Sequence, residues 1–141
     1  TVKRFSTGDS SADNTGMMAP SNATFTGFYL AELGILVINK MSNKYNTEND
    51  ALFTLPNYIP NFATEGIACD GAVVVWNDSN NFVTWTSVTT FQNTRNVRLT
   101  TYPGVGNSFS LFGSLVLYVG TNAGVSLSVQ DAYQRMNPTV G

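Results

Sequence analysis

The chain has 141 residues, seven Lys and Arg against nine Asp and Glu, no His, one Cys and a formal net charge of −2. Apolar residues at 43% suffice for the core of one domain, but charged residues are only 11%, under half the usual share, and Ser, Thr and Asn fill roughly a third of the chain instead. Plentiful aromatic and β-branched residues exclude disorder, seven cations without a basic patch exclude nucleic acid, and no apolar run nears the ~20 residues of a membrane-spanning helix.

Without histidine there is no Ser-His-Asp or Cys-His triad and none of the usual zinc sites. Cys69 has no intrachain partner and reads as a small buried hydrophobe. Thr1 is not an initiator, no signal-peptide pattern opens the chain, and the start reads as a cut from something longer.

In chain order, Val2 to Phe5 reads as a short strand, and Ser6 to Asn22 as a long polar loop with breakers at Gly8, Asp9, Asp13, Asn14, Gly16 and Pro20. Met17-Met18 inside it is expected to tuck onto the core or onto a neighbouring subunit. Strand character resumes from Ala23 to Leu33, with Gly27 and Gly34 as bulge or turn points. Ile35 to Ile38 is a short strand, Asn39 to Asp50 a polar loop, and Ala51 to Leu55 a strand stopped by Pro56 and again by Pro60. Asp70-Gly71 between Ile67–Cys69 and Ala72–Trp76 predicts a hairpin turn.

A second polar turn, Asn77 to Asn81, leads into Phe82 to Phe91, a run dominated by β-formers. Gln92 to Asn96 is a turn, Val97 to Tyr102 a strand and Pro103 to Asn107 a loop. Ser108 to Val119 alternates, as does Val125 to Gln130 after a turn at Gly120 to Gly124; only Val129 to Met136 has the length for two helical turns. Seven to nine short strands at this spacing predict an all-β, antiparallel Greek-key or jelly-roll-like barrel or sandwich. No repeat or second domain is visible, so residues 1–141 are expected to form one domain, with 1–22 as a polar leading segment.

No pair of carboxylates has a spacing that marks a glycosidase. Asp9, Asp13 and Asn14 share a loop but lack the alternation of a calcium site. Neither metal nor cofactor is expected, and no enzymatic activity. The side chains with recognition chemistry are aromatic rings beside amides. Trp76 and Trp85 flank a turn carrying Asp78, Asn80 and Asn81, and a register that placed the rings opposite each other would put both on one face. Such rings pack on the C–H face of a sugar while amides and carboxylate take its hydroxyls; the competing reading is that one or both fill the core. Arg95 and Arg98, bracketing the next strand, suit phosphate or carboxylate groups, or an ion pair within an interface. Tyr102, with Tyr45 and Tyr58, is a loop aromatic of the kind used in recognition and in subunit contacts.

The succession of a short apolar strand, a polar loop, Phe53-x-Leu55-Pro56-x-Tyr58-x-Pro60 and a run of short strands with an Asn-rich turn resembles the head domains of phage tail fibres and baseplate receptor-binding proteins, most of all those of lactococcal siphophages. Val97-Arg98-Leu99-Thr100 and the Gly-rich turns fit the same mould. The resemblance implies a homotrimeric β head at the distal tail tip of a virion, joined through a neck or shaft to a baseplate. Such a head binds a saccharide of the host cell wall, often a phosphate-bearing one, and does no catalysis. Relatives use an aromatic ring, an acid, an arginine and in some cases a histidine, which is missing here. Trp76, Trp85, Asp78 and Arg98 therefore stand as candidates by chemistry rather than as aligned equivalents. The alternative is a jelly-roll capsid or tail subunit whose aromatics serve assembly alone.

Overall fold

The computed structural model describes residues 2–43, 50–76, 81–102, 108–111 and 114–121, and for 67–76, 81–86, 101–102, 108–109 and 111 it describes the backbone. The described residues form nine strands: β1 (Val2–Ser6), β2 (Ala23–Leu30), β3 (Ile35–Asn43), β4 (Asp50–Thr54), β5 (Gly66–Trp76), β6 (Asn81–Thr90), β7 (Asn96–Tyr102), β8 (Ser108–Leu111) and β9 (Leu115–Tyr118). Every described strand pairing is antiparallel, in the order β1-β2-β3-β8-β5-β6-β7-β4, with β9 beside β3.

The strands β5, β6 and β7 form a meander, and β4 returns beside β7, which is a Greek-key arrangement. The two ends of the path share one core: Phe25 of β2 packs in tilted ring contacts between Phe5 of β1, at 5.2 Å, and Phe53 of β4, at 4.8 Å. Leu36, Ile38, Met41, Leu55, Val88, Val97 and Leu99 complete the interior. The result is a folded-over sandwich; β1 and β4 lie at the two ends of the path and are not paired with each other, so the described strands do not close a barrel.

Alternation explains which residues face inward. Along β2 the buried positions are Phe25, Gly27 and Tyr29, and along β3 Leu36, Ile38, Met41 and Asn43, with the phase kept by a bulge where Gly27 pairs Ile38 and Thr26 pairs Lys40. Asn39 is the extra residue. This is why β3 runs on to Asn43, past the expected end at Ile38.

The expected turn at Asp70-Gly71 is not there. Both residues lie inside β5, paired with Ser87 and Thr86. A long partner strand offers ladder bonds to the whole segment, which outweighs the local turn preference of one dipeptide. Conversely, the expected continuous strand from Ser108 to Val119 is split, because β8 pairs both Ser42–Asn43 and β5, whereas β9 pairs Ile35–Ile38. The segments Asn77–Asn80, Pro103–Asn107 and Val125–Met136 lie outside the described residues.

The polar segment between β1 and β2 is part of the sandwich. Asn14 holds Ser6 on both backbone groups, donating Nδ2 to its carbonyl at 2.8 Å and accepting its N–H on Oδ1 at 2.8 Å. The Asp13 amide donates to the Arg4 carbonyl on the free edge of β1, and Met18 exchanges two backbone bonds with Thr54 on the free edge of β4. Met17 packs on the core, while Met18 is 68% exposed. One loop thus covers part of both open edges.

The two outer faces differ. In the first limb, register places Val2, Leu30, Ile35 and Tyr118 in one cross-strand row and Arg4, Phe28, Val37 and Val116 in the next, all outward and at least partly exposed. In the second limb the outward positions mix polar residues with apolar ones such as Ile67, Val74, Val83 and Leu52, as described next.

Candidate functional site

The outer face of β5, β6, β7 and β4 is built by the same two-residue alternation. Inward residues are Val88, Thr90, Val97, Leu99, Ala51 and Phe53, so Ser87, Thr89, Arg98, Thr100, Asp50, Leu52 and Thr54 take the outward parity and are half-buried or exposed. Register then arranges three rows. Ala72, Trp85 and Tyr102 form the first; Asp70, Ser87, Thr100 and Asp50 the second; Ile67, Thr89, Arg98 and Leu52 the third.

Trp76 and Trp85 are not opposite each other. Trp76 pairs Asn81 at the end of the hairpin, and Trp85 pairs Ala72 on one side and Tyr102 on the other. The two tryptophan positions nonetheless share parity, four residues apart along the ladder, or about 13 Å at the usual strand rise. The register that would set the two tryptophans opposite each other is thus not the one adopted, and the cross-strand partner of Trp85 on β7 is Tyr102. Tyr102 belongs to a strand and not to a loop. Asn81 opens β6, and Asp78 and Asn80 lie outside the described residues.

The two arginines have separate fates. Arg95 precedes β7, donates its Nη1 to Asn61 Oδ1 at 3.2 Å and gives its carbonyl to the Leu55 amide at 2.9 Å, which ties it to the proline-bounded link after β4. Arg98 sits inside β7 and not at its border. Its guanidinium lies 5.0 Å from the centre of the Phe91 ring and 3.9 Å from the Asp50 carboxylate, with 42% of the side chain exposed. Such a separation between two half-exposed side chains makes a weak ion pair.

An open groove of about 390 Å³ runs along β4 beside this face, lined by Met18, Ala19, Pro20, Asn43, Asp50, Ala51, Leu52 and Thr54. Its size falls within the roughly 300–1,000 Å³ of ligand clefts. Asn43 in its wall is 4% exposed, and among the described residues its Oδ1 has no hydrogen-bond partner. Sequence reading missed Asp50, Leu52, Thr100 and Phe91, because the residues themselves carry no signal: the pairing of β4 with β7 brings Asp50 and Leu52 to Arg98, Thr100 stands two residues along the same strand, and Phe91 reaches it from the turn between β6 and β7.

The carboxylates of the β1–β2 loop are committed to the fold. The Ser11 hydroxyl and amide, and then Arg4, hold Asp9 down to about 2, and Thr15, with Lys3 behind it, lowers Asp13. Among the described residues no group of three or more His, Cys, Asp or Glu could hold a metal. Comparisons with protein-family models, with curated proteins and with solved structures find no match.

Proposed function

We propose that this chain is a non-catalytic binding module for a bacterial cell-wall saccharide, acting as the head of a phage tail-fibre or baseplate adhesin, with the outer face of β5, β6, β7 and β4 as its sugar-binding surface. The observation that carries the reading is the register: it brings the Trp85 and Tyr102 positions, a row of hydroxyl and carboxylate positions, and Arg98 onto one sheet face. Aromatic positions suit the C–H face of a pyranose, Ser, Thr and Asp suit its hydroxyls, and Arg98 suits a phosphate or carboxylate substituent. The groove beside Asp50 gives a saccharide a second wall. A single shallow sugar site is weak, and several copies on one assembly raise the effective concentration of the others.

The test is a binding screen of the 141-residue chain against wall polysaccharides, with its mass in solution measured on the same sample. Trp85→Ala and Arg98→Ala should each weaken glycan binding by about tenfold or more, and the Arg98→Ala loss should be larger for phosphorylated than for neutral glycans. Full binding by both variants would move the site elsewhere. Binding to no wall polymer would favour a purely structural tail or capsid subunit, and release of reducing ends would favour a wall-degrading enzyme.

A further inference from the structure

We propose that the free edge of β4 takes an extended peptide of a partner protein as an added strand, with Leu52 as the rung. Alternation along β4 assigns the edge. Thr54 turns both its backbone groups away from β7, donating its N–H to the Met18 carbonyl at 2.7 Å and accepting the Met18 N–H at 2.9 Å. Two residues earlier, the Leu52 N–H and carbonyl point the same way. Carried on for one more rung, the Met18–Thr54 bridge would set Pro20 opposite Leu52. Proline has no N–H to give, and the Pro20 carbonyl already accepts the Ala23 amide at 3.1 Å. Pairing by the loop therefore ends at Met18. Among the described residues nothing meets the two Leu52 backbone groups, which open into the groove lined by Met18, Pro20, Asn43, Asp50 and Ala51.

Protection of a sheet edge explains the proline but not Asn43. That side chain lines the groove at 4% exposure, and its Oδ1 has no partner among the described residues. A buried acceptor without a donor is a standing cost that a donor arriving in the groove removes. The bonding pattern selects a peptide as the occupant. The N–H and carbonyl of one extended residue point to one side, so a second extended residue meets both. In a single trans amide, such as the acetamido group of an amino sugar, they point opposite ways, and only one Leu52 group is met. Alternation and charge then describe the peptide in antiparallel register. The residue opposite Leu52, whose side chain is 51% exposed, is apolar and β-branched. The next lies opposite the inward-facing Ala51, on the side of Asn43, and carries a hydroxyl. The third lies opposite Asp50, the charged residue of the groove lining, whose ion pair with Arg98 spans 3.9 Å, and is Lys or Arg. The saccharide reading stands on the outer sheet face and not on this edge, so either can fail without the other.

The test titrates the isotope-labelled 141-residue chain with the peptide Ser-Val-Thr-Lys-Gly, acetylated and amidated at its ends, read by backbone amide resonances. The expected result is saturable binding with a dissociation constant below about 1 mM, with the Leu52 amide among the resonances that shift. N-methylation of the peptide valine, which removes the donor to the Leu52 carbonyl, should weaken binding about tenfold. Exchange of the peptide threonine for valine should cost about as much on the wild-type chain and nothing on Asn43→Ala. No saturable binding, or equal binding by the N-methylated peptide, overturns the proposal. So does a Leu52 amide that wall polysaccharide shifts and the peptide does not, which would give the groove to saccharide. If Asn43→Ala fails to fold, the N-methylated peptide decides the question alone.

Discussion

At the scale of single residues, Gly27 shows how one missing side chain fixes a register. A Cβ there would collide with the Val37 carbonyl oxygen and lie 2.6 Å from the Phe5 ring. Gly27→Ala is expected to cost about 1–3 kcal/mol, read as a fall in the urea midpoint; an unchanged midpoint would mean that β2 and β3 separate without penalty. Glycine at this position was legible in the sequence as a bulge point, but its contact with Phe5 was not. Tyr29 is a second such residue. It is fully buried, donates its hydroxyl to the Gly120 carbonyl at 2.6 Å, and burial pushes its phenol up to about 12. Because the folded pKa lies above the unfolded value near 10, the protein keeps this stability below pH 10 and loses it as pH rises toward 12. The urea midpoint should therefore fall between pH 10 and 12, and fall less in Tyr29→Phe. Equal slopes in the two proteins would count against the assignment. Tyr58, 3.0 Å from the Asp13 carbonyl, is raised for the same reason, burial first and the Asp13 charge second.

At the scale of elements, the segment from β1 to β2 changes most between sequence and structure. Its Gly, Asp and Asn residues announce a loop, and a loop it is. What they do not announce is that Asn14 imitates a strand partner for Ser6, or that Met18 pairs with Thr54 from the far end of the chain path. Asn14→Ala should destabilise the protein by about 1–2 kcal/mol through two lost backbone partners and should expose residues 7–22 to limited proteolysis before global unfolding. Cleavage no faster than in wild type would show that the bonds at Asp13, Thr15 and Met18 hold the segment without Asn14. The proline-bounded link after β4 behaves as its sequence suggests, as scaffold: Phe53, Leu55 and Ile59 are fully buried, and the Leu55 and Phe62 amides bond to the Arg95 and Thr94 carbonyls across the turn before β7.

At the scale of the whole molecule, the two outer faces differ in make-up, with two adjacent apolar rows across β1, β2, β3 and β9 and rows that mix aromatic, hydroxyl and charged residues across β5, β6, β7 and β4. Alternation of apolar and polar residues determined the all-β class and the approximate span of most strands, because a half-buried strand writes its burial into every second residue. Sequence could also say which side chains carry recognition chemistry. It could not say which of them are neighbours. Pairing between strands distant along the chain is set by packing and by ladder bonds, and a shift of one residue would turn every position on a strand to the other side of its sheet. Only the tertiary structure therefore decided that Asp70-Gly71 continues a strand, that Trp85 stands beside Tyr102 instead of opposite Trp76, and that Asp50 and Phe91 flank Arg98.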